Sequence, residues 1–175
     1  MTLLDYLVLV VVALSVTSGA VRGILKGTIS LISALVGLIS AAYLYRFVTG
    51  FASLFVSSVQ AAELLAFIAI FVIVVAAGAV ISYKLRRSIK GGPLSLADHA
   101  LGALFGLLRA WLICSAVYLG LIAFPVKIEA VGHARFAPLL VEGTRVISYL
   151  TSPEVREQFL IGYTKIKELS RQERK

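Results

Sequence analysis

Ala62–Tyr83 reads AELLAFIAIFVIVVAAGAVISY, and from Phe67 to Val80 it holds neither a charge nor a strongly polar group. A helix needs ~20 mainly apolar residues to cross ~30 Å of hydrocarbon, so this stretch predicts a membrane span. Three more stretches on either side meet the same measure: about Leu3–Val21, about Thr28–Phe47, and about Leu101–Phe124, which Pro125 ends. The second of these carries Ser30, Ser33 and Ser40. The whole chain agrees with a membrane reading. Its 175 residues are 59% hydrophobic and 15% charged, with a mean hydropathy of +0.96. A soluble domain has ~45–50% apolar and ~25% charged residues. A soluble enzyme domain, a disordered tail and a disulfide scaffold are therefore set aside. Cys114 is the single cysteine, and no Asn is present to accept a glycan.

The expected fold class is all-α: an integral membrane four-helix transmembrane bundle over residues 1–125, followed by a C-terminal amphipathic helical tail over 126–175. The connections are short. Arg22–Gly27 reads as a tight turn and Val48–Gln60 as a longer loop. Lys84–Ala97 is a basic loop broken by Gly91-Gly92-Pro93. The first span is expected to be retained, since no Lys or Arg precedes it and Asp5 carries the wrong charge for a signal peptide. In the tail, Pro138 sits at the start of one helix, with Leu139, Leu140, Val146, Ile147 and Leu150 on one face and Glu142, Thr144, Arg145 and Ser148 on the other. Ser152 and Pro153 fit the cap and first position of a second helix, along which Val155, Phe159, Tyr163 and Ile166 recur. This tail is expected to lie on the bundle or in the membrane interface.

The net charge of +8 is uneven. Most of the excess lies after residue 83, and in so apolar a chain lipid headgroups are the natural counter-surface, with no nucleic acid expected. Arg22, Lys26, Lys84, Arg86, Arg87 and Lys90 flank one membrane face. Arg46, Lys127, Arg135 and Arg145 flank the other. Basic residues near span ends stay in the cytoplasm, and six against four favours both termini outside.

Small residues recur every four positions: Gly19, Gly23 and Gly27; Gly102, Gly106 and Ala110; Ser33, Gly37 and Ala41. Such ladders let helix backbones approach closely in lipid, so Gly19, Gly23, Gly27, Gly37, Gly102 and Gly106 are expected helix-packing residues. Gly19-x-x-Arg22-Gly23 and Gly106-x-x-Arg109-Ala110 share a frame, as a faint internal repeat would. Arg109 lies inside the fourth span, where an arginine costs ~2.5–3.5 kcal/mol and turns toward protein or water. Either the span begins nearer Leu107, after a re-entrant piece, or Arg109 has a partner. Asp98 shares its face but lies eleven residues away, ~16 Å along the axis and too far for a direct bridge, so the expected partner is a residue of another helix or a lipid phosphate reached by snorkelling. Arg22, Asp98 and Arg109 are the candidate functional polar residues, with structural pairing the plainer role for Asp98 and Arg109.

Other residues have plain readings. Asp5 suits a helix N-terminus. His99 and His133 lack a second ligand at metal spacing, and Cys114 reads as a small packing residue. Zinc-protease, nucleotide-loop and nucleophile-elbow motifs are absent. No enzymatic activity, metal or cofactor is expected.

The order of Asp5, then Arg22-Gly23-x-x-x-Gly27, then a basic loop, then Asp98-x-x-Leu101-Gly102-x-x-x-Gly106-x-x-Arg109 resembles the colicin V production protein family, CvpA. The resemblance covers about Leu4–Phe124, with weaker echoes in Ala137–Leu139. It departs at Ala110, where a second glycine is usual, and at His99, where arginine often follows the aspartate. It implies a multi-pass protein of the bacterial inner (cytoplasmic) membrane, linked to production or export of the colicin V toxin and to envelope homeostasis. Similar membrane domains precede extracytoplasmic serine proteases, which agrees with an outside C-terminus. The expected partners are the bilayer and the protein itself or other inner-membrane proteins. A small transporter or channel with Arg109 and Asp98 lining a polar path is the alternative, and a regulator acting through the tail is a third.

Overall fold

The computed structural model describes residues 3–88, 96–124 and 137–172, without the side chains of residues 3, 22, 25, 26, 85–88, 137–139 and 165–172. All regular structure among the described residues is helical: α1 (Leu3–Ala52), α2 (Val59–Ser88), α3 (Leu96–Ala123), α4 (Ala137–Ser148) and α5 (Pro153–Gln172). Four stretches are long and apolar enough to cross a membrane, namely Leu4–Val21, Gly27–Ala52, Val59–Lys84 and Leu96–Ala123.

The first two spans share α1, a run of 50 residues interrupted at one point, Gly23, with φ 75° and ψ 177°. Packing against α3 shows what that residue does. Gly19 abuts Gly102 and Gly106, Gly27 abuts Phe105, and the Tyr45 ring lies 5.1 Å from that of Phe124. The first span therefore runs antiparallel to α3 and the second parallel to it, and the chain reverses at Gly23. The expected turn over Arg22–Gly27 is narrower than its sequence suggested, because helix continues on both sides of one left-handed residue. A side chain at this φ and ψ costs ~1–3 kcal/mol in a region that essentially only glycine enters, which is why glycine stands there.

Helix α2 returns antiparallel to the second span. Gly37 lies against Phe71 and Val75, and Gly78 against Ser33. Ser33 can sit at this contact because its hydroxyl is satisfied by the Ile29 carbonyl at 2.8 Å. At the opposite end from Gly23, Tyr45, Phe67 and Phe124 are buried and close the core, with the rings of Phe67 and Phe124 6.1 Å apart. Outward-facing Val72, Ile73, Val80 and Ile81 leave apolar surface on α2, as lipid-facing helices do. Helix α3 is continuous over 28 residues, so Ala100–Gly106 belongs to the same helix as Arg109 and is not a separate re-entrant piece.

The tail helices join the same core, through Leu140, Ile147, Val155 and Phe159. The buried face of α4 differs from the expected one. Thr144 and Ser148 are buried with Leu140 and Ile147, while Val146 and Leu150 are exposed. The reason is local: Thr144 donates to the Leu140 carbonyl at 2.8 Å and Ser148 to that of Arg145 at 2.8 Å. Hydroxyls satisfied on their own helix can be buried at little cost. Gly143 then lets α4 close on Trp111 and Ser115, and Gly162 lets α5 close on the Ile122 backbone. Ser152 caps α5, accepting from the Val155 N–H at 3.5 Å, and donates to the Ala42 carbonyl at 3.0 Å. The exposed pair Arg46–Glu154 joins the second span to α5 at 3.4 Å. Exposed ion pairs contribute ~0–1 kcal/mol, so Glu154→Gln should move the unfolding midpoint by no more than a few degrees. A larger shift in a thermal melt would show that this pair anchors the tail.

Candidate functional site

A helix that stops and restarts leaves backbone groups unbonded on both sides of the break. At Gly23 the orphans include the Ala20 carbonyl and the Ile24 N–H, which an unbroken helix would join to each other. The N-terminal turn of α3 supplies a partner for each. Ile24 donates to the Asp98 carboxylate at 2.9 Å, and His99 Nδ1 stands 2.7 Å from the Ala20 carbonyl oxygen. A carbonyl only accepts, so that ring nitrogen is the donor. Two consecutive side chains thus replace one missing helical hydrogen bond. Asp98 acts as an N-cap supplied from another helix, with its negative charge at the positive end of the second span.

The glycines bring these groups within reach. A Cβ added to Gly19 would strike the Gly102 carbonyl and lie 3.0 Å from the Gly106 Cα. One added to Gly102 would strike the Gly19 carbonyl and lie 3.0 Å from the Gly23 Cα. One added to Gly106 would strike the Ser15 carbonyl. The first span and α3 therefore meet backbone to backbone along Ser15–Gly23. Gly27 touches Phe105, and Gly37 belongs to the separate contact with α2.

Beside the crossing, residues of all four spans line a small open cleft of about 20 Å³. Ser15, Ser18, Ser30, Ser82 and Arg109 line it beside Gly19 and Gly106. Arg109 is half-buried. Ser15 is 7% exposed, and its Oγ has no hydrogen-bond partner among the described residues. Asp98 is not among the lining residues, so the structure separates the two polar residues of α3. One closes the chain reversal and the other faces the cleft. The Arg22 backbone belongs to the last turn of the first span, and its side chain lies outside the described ones. Asp5 is fully buried in the first turn of α1. Among the described residues no group of three His, Cys, Asp or Glu side chains could hold a metal ion.

Sequence reasoning set His99 aside as a histidine without a second ligand and passed over Gly78, Gly143 and Gly162. His99 had a signal in hindsight: it adjoins Asp98 at the start of a helix whose partner carries a glycine break. The other glycines stand outside any four-residue ladder, and only the fold reveals what approaches them.

These features define a four-span helical membrane protein whose first two spans form a hairpin closed by the start of the fourth. The chain belongs to the colicin V production protein family: the family described as Colicin V production protein matches residues 4–145. It is 30% identical over 119 residues to a Colicin V production protein homolog of Haemophilus influenzae, covering 66% of this chain and 70% of that one. No solved structure matches it. The family match runs past the bundle to Arg145 and so takes in most of α4.

Proposed function

We propose that this protein is a non-enzymatic component of the bacterial inner membrane that supports production or export of colicin V and envelope homeostasis. It acts by packing against itself or against other inner-membrane proteins, with both termini outside. Membership of the colicin V production protein family is the observation that carries this reading. The employment of the polar residues supports its non-enzymatic part, since Asp98 and His99 are engaged with backbone groups of α1. A second reading, a small transporter or channel, is favoured by the Arg109 cleft. It rests on Arg109 alone, because Asp98 does not line that cleft.

The test is growth of a deletion strain under detergent stress, complemented with wild type, Asp98→Asn or Arg109→Leu, with membrane abundance measured for each. Deletion should sensitise the cells. An Arg109→Leu protein present at normal abundance should rescue if packing is the function. Failure to rescue at normal abundance would favour transport. A deletion strain that grows like its parent would remove the envelope role. Truncation after Pro138 would not isolate a tail function, because it strips Leu140, Ile147, Val155 and Phe159 from the core.

A further inference from the structure

We infer that the Arg109 cleft is a phosphate site occupied by the headgroup of an anionic phospholipid. Position is the first argument. Gly27 opens the second span and abuts Phe105, and Arg109 lies one helical turn beyond Phe105, ~6 Å deeper. Ser30 is three residues into the second span, and Ser82 is two residues from the end of the third. Counted along the first three spans, the cleft thus lies within about two helical turns of the membrane face at the Gly23 end, while along α3 Arg109 stands eleven residues, ~16 Å, beyond Asp98 at the chain reversal. A long arginine side chain bridges that depth to the phosphate layer. Charge is the second argument. The sequence places Arg22, Lys26, Lys84, Arg86, Arg87 and Lys90 in or beside the connections at this end. Basic clusters beside membrane helices draw anionic headgroups. Asp98, an acid at this end, is bonded to the Ile24 N–H.

Donor chemistry and size complete the case. The Ser15 hydroxyl is more than nine-tenths buried at the cleft and has no hydrogen-bond partner among the described residues. Arg109 carries five N–H donors, more than one partner exhausts. A guanidinium beside a hydroxyl suits phosphate oxygens and repels cations. A cavity of about 20 Å³ holds one water-sized body. It is too small for a whole phosphate and takes a single phosphoryl oxygen. The remainder of the headgroup then stays at the mouth, with its acyl chains in the bilayer. This site is independent of whether anything crosses the membrane, so it goes beyond both functional readings.

The experiment uses the purified full-length protein in phosphatidylcholine nanodiscs, titrated with phosphatidylglycerol at fixed ionic strength, with the unfolding midpoint as readout. A parallel titration uses inorganic phosphate. Wild type should show a saturable rise with phosphatidylglycerol and none with inorganic phosphate. Ser15→Ala should raise the half-saturating lipid fraction by about tenfold, the loss expected of one hydrogen bond to a charged group. Arg109→Gln should abolish saturation, and Arg109→Lys should retain part of it. If Arg109→Gln does not fold, Ser15→Ala and Arg109→Lys decide the matter. Equal lipid responses in wild type and Ser15→Ala would overturn the site, leaving a water in the cavity and lipid on the surface. A saturable response to inorganic phosphate would overturn the lipid assignment in favour of a free anion.

Discussion

Gly102→Leu should leave no folded bundle in the membrane. The first atom of any side chain at Gly102 meets the Gly19 carbonyl and stands 3.0 Å from the Gly23 Cα and 3.1 Å from the Gly19 carbonyl carbon. Those neighbours are backbone and cannot swing aside, so the first span and α3 must separate. Overpacking a rotamer-flexible core costs ~1–3 kcal/mol, and a backbone-to-backbone contact lies at or beyond the top of that range. Separation also draws Asp98 and His99 away from Ile24 and Ala20, adding the loss of two hydrogen bonds. Against a total stability of ~5–15 kcal/mol, the sum is disabling. Membrane abundance and a monodisperse peak in detergent measure it. Gly50→Ala is the control: nothing lies within 4 Å of an added Cβ there, and the helix gains ~0.5–1 kcal/mol from the exchange. If Gly102→Leu is as abundant as Gly50→Ala, the close crossing does not hold the bundle together.

Asp98→Ala should cost ~1–3 kcal/mol, because it strands the Ile24 N–H at the chain reversal. Asp98→Asn keeps an acceptor oxygen at the same place and should cost less than half as much. His99→Ala strands the Ala20 carbonyl. The two substitutions act on halves of one interrupted hydrogen bond, so a double-mutant cycle should show a coupling of ~0.5–3 kcal/mol. Gly23→Ala adds ~1–3 kcal/mol by forcing a side chain into a backbone region that essentially only glycine enters. Thermal unfolding in a fixed detergent reads all of these, and amide exchange at Ile24 locates the effect. Equal losses from Asp98→Asn and Asp98→Ala would mean that the charge matters and the acceptor oxygen does not.

The four spans were legible in the sequence because a bilayer demands length and apolarity, both of which a single chain displays. The ladder at Gly19, Gly102 and Gly106 was legible as a motif, since four-residue spacing defines a helix face. Its partner was not, because nothing local says which ladder meets which. Asp98 stood out as a polar residue at a span end, yet its role depends on a backbone break 74 residues earlier. The faces of α4 were misassigned at Thr144 and Ser148 because hydropathy counts a hydroxyl as outward-seeking. A hydroxyl bonded to its own helix has no such demand. Arg109 was visible from its cost, but the serines that line its cleft come from three other spans, and only the packing assembles them.

The reversal at Gly23 also orders events in the life of the chain. Ribosomes deliver the first two spans together, as a hairpin whose bend already needs partners for Ile24 and Ala20. The residues that supply them belong to the fourth span, and another whole membrane crossing is synthesised in between. Until that last span arrives, the tip of the hairpin must borrow its hydrogen bonds from water and lipid headgroups, which holds it at the membrane surface. A chain released before α3 therefore keeps an unsatisfied bend, and completion of the fourth span is the step that supplies its partners.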